Sequence, residues 1–134
     1  MKLKFLLMTL LSALLTVPAM AEEEVDEQEV RYVDLTPPLV TNYGGPGRMK
    51  YIKAEVSLRV HSQDDFRAVV HHAPSLRHAM VMLLSRQTDE TVEGSGAKEL
   101  LRVSALEELQ AVMQAEEGAA MIEDILFSTF FVQK

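Results

Sequence analysis

The chain has 134 residues and contains neither cysteine nor tryptophan. Without cysteine it can form no disulfide staple, no thiolate metal site and no lipid attachment through a processed N-terminal cysteine. Stability must come from packed apolar side chains. With 6% aromatic residues and eight methionines, that core is expected to be aliphatic, its phenylalanines clustered towards the C-terminus. Excess positive charge is also missing: 13 Lys and Arg stand against 20 Asp and Glu, for a net charge of −7. Phosphate binding needs a clustered basic surface, so nucleic acid is not an expected partner and an anionic lipid surface is disfavoured. Proline and glycine are scarce, and three of the five prolines and five of the six glycines are grouped, at Pro37-Pro38, Gly44-Gly45-Pro46-Gly47 and Gly94-Ser95-Gly96.

The N-terminus reads as a bacterial export signal. Lys2 and Lys4 precede an apolar run from Phe5 to Val17, then Pro18 and Ala19-Met20-Ala21. Ala19 and Ala21 supply the small residues that a signal peptidase pocket requires, so cleavage is expected after Ala21. The alternative is an uncleaved membrane anchor. Thirteen helical residues span about 20 Å, and counting on to Ala21 brings about 25 Å, against a hydrocarbon core of roughly 30 Å. Cleavage leaves 113 residues, enough for one domain, and takes the net charge from −7 to −9 as two lysines leave. In either case the body of the protein is exported. Residues 22–29 form an acidic segment too polar to pack, a linker or lead-in before a domain at 30–134.

The rest of the chain predicts an α+β domain in the order β-β-α-α-α-β, a small antiparallel three-stranded sheet backed by helices. Val30 to Leu35 is rich in β-branched and aromatic residues and predicts a first strand. Pro37-Pro38 cannot donate to a sheet ladder, so the segment is at an edge or leaves the sheet there, and Leu39 to Asn42 resumes pairing. After the Gly-Pro turn, Met49 to His61 alternates strictly. Ile52, Ala54, Val56, Leu58 and Val60 share one face, and Tyr51, Lys53, Glu55, Ser57, Arg59 and His61 the other. That is a half-buried strand with one wet face, paired with the first as an antiparallel hairpin.

Ser62 with Asp65 three positions on predicts a helix start, with Phe66, Val69 and Val70 turned inward. A second helix starts at Pro74 or Ser75 and carries Leu76, Ala79, Met80, Leu83 and Leu84 as an apolar stripe. Residues 88–94 are polar and read as a loop. A third helix runs from Ala97 to about Glu117, buries Leu101, Ala105, Leu109, Val112 and Met113 flanked by Leu100 and Leu106, and ends at Gly118 as a left-handed cap. Residues 121–133 predict the last strand, apolar on both parities. A strand apolar on both sides is buried on both sides or lies at a subunit contact. Self-association is therefore one expectation, with Phe127 and Phe131 on the outer parity; cover by the lead-in or a loop is the other.

No catalytic, cofactor or metal site is expected. His71 and His78 are seven apart with Pro74 between them, His61 ends a strand, and no carboxylate stands at ligand spacing within the cluster. Solvent-facing or partly packed histidines are the ordinary expectation. None of the serines sits in a nucleophile elbow. The Gly94–Gly96 turn lacks the lysine–hydroxyl pair of a phosphate loop.

Three ordered motifs carry a family resemblance. Pro74-Ser75-Leu76-Arg77-His78-Ala79-Met80-Val81-Met82-Leu83-Leu84-Ser85 resembles a P-x-[I/L]-R-x-x-[I/M]-x-x-L-L-S helix. Gly96-Ala97-Lys98-Glu99-Leu100-Leu101-Arg102 resembles a G-x-K-E-x-L-R helix start. Residues 122–133, with Phe127, Thr129, Phe131 and Gln133, are similar to a V-x-x-V-x-F-T-x-F-x-x-Q last strand, and Pro38 to Asn42 looks like the strand that opens the same domain. The family is FliL, the flagellar basal-body-associated protein. The resemblance implies a stomatin/SPFH-like periplasmic domain and no enzymatic activity or cofactor. It further implies homo-oligomeric rings at the flagellar stator units that affect torque, rotation and chemotaxis. Localisation is then the periplasm or the periplasmic face of the inner membrane, with stator and basal-body proteins as partners. Family members usually keep a transmembrane helix and a linker. Here the leader looks cleavable and the linker is short, so membrane association would run through partners or an uncleaved leader. A soluble periplasmic adaptor or chaperone on the same fold is the alternative.

Overall fold

The computed structural model describes residues 29–134. Residues 1–28, with the leader, its expected cleavage site at Ala19 and Ala21 and nearly all of the acidic segment, lie outside the described residues.

One long strand organises the sheet. Strands β1 (Arg31–Asp34), β2 (Leu39–Tyr43), β3 (Lys50–Val60) and β4 (Asp124–Gln133) form a single antiparallel sheet. β1 pairs with residues 57–60 of β3, and β2 with residues 50–54. β4 pairs along β3 from Arg59 back to Tyr51. β1 and β2 therefore run end to end along one side of β3, and β4 covers the other. The single first strand and three-stranded sheet expected from the sequence become two short strands and a four-stranded sheet, because the prolines split that edge. Leu35 still donates to Val56 O at 2.9 Å, the Thr36–Pro37 peptide is cis, and pairing resumes with Leu39 opposite Ala54. Thr36, Pro37 and Pro38 thus stand against one residue of β3, Glu55.

The alternation in β3 holds throughout. Ile52, Ala54, Val56, Leu58 and Val60 are buried, and Tyr51 and Lys53 are exposed. Helices cover the buried face. Helix α1 (Gln63–His71) starts at Ser62, whose Oγ accepts from Asp65 N at 3.0 Å. Helix α2 (Ala73–Ser85) carries Pro74 in its first turn and buries Leu76, Met80, Leu83 and Leu84. In α1 Val69 is buried and Phe66 half-buried, but Val70, expected inward, is 47% exposed. One residue on from Val69 is a turn of about 100°, which carries Val70 off the nine-residue helix's contact stripe.

The stretch expected as a loop contains a short helix, α3 (Asp89–Glu93). Thr88 and Thr91 close a reciprocal cap at its start, and Val92 is buried. Helix α4 (Ala97–Glu117) buries Ala97, Leu101, Ala105, Leu109 and Met113 and ends at Gly118 with φ of 76°, whose N–H donates to Gln114 O at 3.0 Å. Val112 and Leu106 are half-buried, whereas Leu100, expected to flank the buried stripe, is 71% exposed. α2 lies against β2 and α4, α1 against β1, and α4 against α3 and β4. Each fully buried Leu, Ile or Met in this layer contributes about 1.5–3 kcal/mol relative to exposure.

Candidate interaction surface

β4 departs from simple alternation at one point. Thr129 stands opposite Glu55 but Phe127 stands opposite Val56, so Ser128 is an extra residue, a β-bulge. The bulge resets the parity. Ile125, Phe127, Phe130 and Val132 face the helices, opposite Leu58, Val56, Ala54 and Ile52. Leu126, Thr129, Phe131 and Gln133 face away from them, opposite Ser57, Glu55, Lys53 and Tyr51. Phe127 and Phe131, placed on one face by a parity count, lie on opposite faces. Phe127 is half-buried against the core with its ring edge-on to Phe130 at 5.5 Å between centroids. Phe131 is 56% exposed.

The face on which no helix packs among the described residues is consequently a mixed surface. One row across the sheet reads Val40, Lys53, Phe131, and the next reads Asn42, Tyr51, Gln133. Val40 is 60% exposed, and Tyr51, Leu126 and Tyr32 are open to solvent on the same face. Glu55 is where both flanking strands bulge. A shallow depression of about 290 Å³ opens there, bordered by Asp34, Thr36, Pro38, Glu55, Ser57 and Ser128. Ser57 Oγ donates to Asp34 Oδ1 at 2.6 Å across it.

Ionic contacts hold the rim of this surface. Lys50 Nζ donates to Asp89 Oδ2 at 2.6 Å, and the Tyr43 hydroxyl to Asp89 Oδ1 at 2.9 Å. These two bonds, the Lys50 one first, hold the Asp89 carboxyl below its ordinary range. Burial, then the Asp89 contact, pushes the Tyr43 phenol up to about 12. Lys134 pairs with Glu93 at 2.6 Å, which raises the lysine. At the other end of β4, Arg102 bonds Asp124 and Glu99. The Glu99 bond raises the guanidinium and lowers the carboxylate.

The motif residues do structural work in this arrangement. Leu76, Leu83 and Leu84 are core, and Pro74 opens α2. Arg77 Nη1 donates to Leu35 O and Pro37 O at the β1–β2 break. Gly96 precedes α4 with φ of 75°. Arg102 joins α4 to β4, Thr129 and Gln133 lie on the outer face, and Leu100 is a surface residue. The histidines are dispersed: His61 contacts Glu123 at 3.1 Å, and His72 contacts Glu117 at 2.6 Å beside His71. Among the described residues no three His, Asp or Glu side chains gather as metal ligands. The Arg77 contacts and the bulge escaped sequence reasoning. The prolines signalled that the first strand breaks, but nothing local names the side chain that reaches over from a helix.

Among the described residues the domain is a small α+β scaffold with helices packed on one sheet face and no strand paired to the outer side of β4. The family model described as "Flagellar basal body-associated protein FliL" matches residues 32–133. The chain therefore belongs to the FliL family. It is also similar to the protein named "Flagellar protein FliL" from Aquifex aeolicus (strain VF5), 23% identical over 99 residues. That match covers 74% of this chain and 59% of the relative, so the chain spans about three-fifths of the length of the relative it matches.

Proposed function

We propose that this protein is a non-enzymatic accessory of the flagellar basal body that assembles beside the stator units and modulates rotation, swimming and chemotaxis. The observation that carries this reading is the family match over nearly the whole described domain. The bare sheet face with Phe131 and Val40 exposed supplies a surface for the work. Copies contact one another through the outer residues of β4 and the polar face of β3, and the domain has a stomatin/SPFH-like build. The leader is cut after Ala21, residues 22–29 act as a linker, and residues 30–134 operate in the periplasm at the inner membrane. No helix among the described residues is long and apolar enough to cross a membrane. With the leader cut, membrane association runs through partner proteins.

A clean deletion tests the reading. Swimming, swarming or reversal frequency is expected to change while filament number does not. Normal motility on all three measures would overturn it. The leader with its cleavage site also favours a second reading, a soluble periplasmic adaptor or chaperone on the same fold. Recovery of non-flagellar clients from periplasm, without stator or basal-body proteins, would favour that one.

A further inference from the structure

The two edges of the sheet are built differently. The β1–β2 edge is interrupted by Pro37 and Pro38, which have no N–H to offer, and Arg77 already occupies two carbonyls there. The β4 edge has none of this protection. From Ile125 to Gln133 it contains no proline and no charge, and among the described residues no strand pairs with it on the side away from β3. A long apolar open edge of this kind invites strand addition, and native proteins cover or blunt it. Side chains on both faces are short of cover as well. Phe127, Phe130 and Val132 are only half-buried on the helix side, and Leu126 and Phe131 are exposed on the other.

We propose that β4 pairs antiparallel with β4 of a second copy of this chain, about a two-fold axis at Thr129, so that two sheets become one. The bulge makes the strand self-complementary. With Ser128 as the extra residue, Asp124 to Phe127 and Thr129 to Gln133 form nine alternating positions centred on Thr129. Turned on itself, the strand sets Ile125 against Val132, Leu126 against Phe131, and Phe127 against Phe130. Members of each pair share a sheet face, and every pair is apolar on apolar. The two Thr129 hydroxyl side chains meet at the axis, a favourable cross-strand pair. A contact of one patch with itself closes at two copies. Head-to-tail joining of β4 to the β1–β2 edge of another copy would meet the prolines instead. This pairing uses the strand edge rather than the outer sheet face of the proposed function, on which it does not rest, and it leaves both outer faces free for those contacts.

The absence of cysteine makes the test direct. Directly opposed residues in an antiparallel pair have Cα atoms about 4.5–5.5 Å apart, within disulfide reach. The full chain carrying Thr129→Cys, exported and treated with a mild oxidant, is expected to run at about twice the monomer mass on a non-reducing gel. Leu126→Cys and Phe131→Cys chains, co-expressed with different tags, are expected to give a mixed dimer. Leu126→Cys alone gives little, because two such cysteines would lie about 13 Å apart along the strand. Val40→Cys, exposed on the other edge, sets the background. The two tests use different positions, so misfolding of one variant leaves the other readable. Cross-linking of Thr129→Cys and of the mixed pair no better than Val40→Cys overturns the proposal. So does a disulfide to a different protein, or Leu126→Cys alone matching the mixed pair. Loss of the flagellar phenotype with cross-linking intact would sink the proposed function and leave the pairing standing.

Discussion

The Arg77 guanidinium reaches from α2 to the carbonyl of Pro37 at 2.5 Å, and the same nitrogen holds Leu35 O at 3.0 Å. One helix side chain thus satisfies the backbone where the proline-split edge leaves the sheet. Arg77→Ala strands both carbonyls and is expected to cost about 1.5–3 kcal/mol, the range for bonds to a charged donor. Arg77→Lys should recover part of it. Urea unfolding measures both, and a loss under about 0.5 kcal/mol for alanine, the range of ordinary surface substitutions, would contradict the strap.

Tyr43 predicts an alkaline weakness. Its phenol is raised from 10.0 to about 12 in the fold, first by burial and then by Asp89. A raised group stabilises fully below its unfolded value, and that contribution disappears as pH climbs through the folded value. Stability should therefore fall between about pH 10 and about pH 12. Tyr43→Phe should flatten that fall while losing about 1 kcal/mol at neutral pH with the Asp89 hydrogen bond. Asp89 works in the other direction: its lowered carboxyl stabilises above the ordinary 3.8 and stops doing so as pH drops through the folded value. Chemical denaturation across the pH range checks both limbs.

Gly96 stands at φ of 75° with nothing within 4 Å of where a Cβ would be. Gly96→Ala meets no steric obstacle, so its cost is backbone strain alone, about 1 kcal/mol. Thermal unfolding should show a drop of a few degrees with the helical circular dichroism of α4 retained. A collapse of helicity would mean that Gly96 does more than bend the chain.

Phe130 and Phe131 are neighbours with opposite fates. Phe131→Asp places a charge on the solvent side and is expected to change stability by no more than about 0.5 kcal/mol, while abolishing self-association in sedimentation. Phe130→Asp puts the charge on the core side and should destabilise by about 2 kcal/mol or more. If Phe131→Asp unfolds the monomer, the outer face of β4 is core.

Features set by local chemistry were legible in the chain. Strict alternation from Ile52 to Val60 decided both the strand and its buried face. Ser62 as a helix cap, Pro74 in a first turn and Gly118 as a left-handed stop follow from what those residues can do with their own neighbours. The ordered motifs around Arg77, Gly96 and Phe127 located the family. The short helix at Asp89–Glu93 was not legible as more than polar chain. Its packed residue, Val92, gains burial only once α4 is in place.

The amino-acid order alone determined a cysteine-free α+β domain, because alternation and helix caps are read within a few residues. The tertiary structure alone decided where Ser128 bulges, and so which phenylalanines of β4 face the core, because register is set by pairing with β3 and a one-residue insertion exchanges the faces. It also decided that Arg77 serves a strand break 40 positions away, a contact that exists only once the helix lies on the sheet.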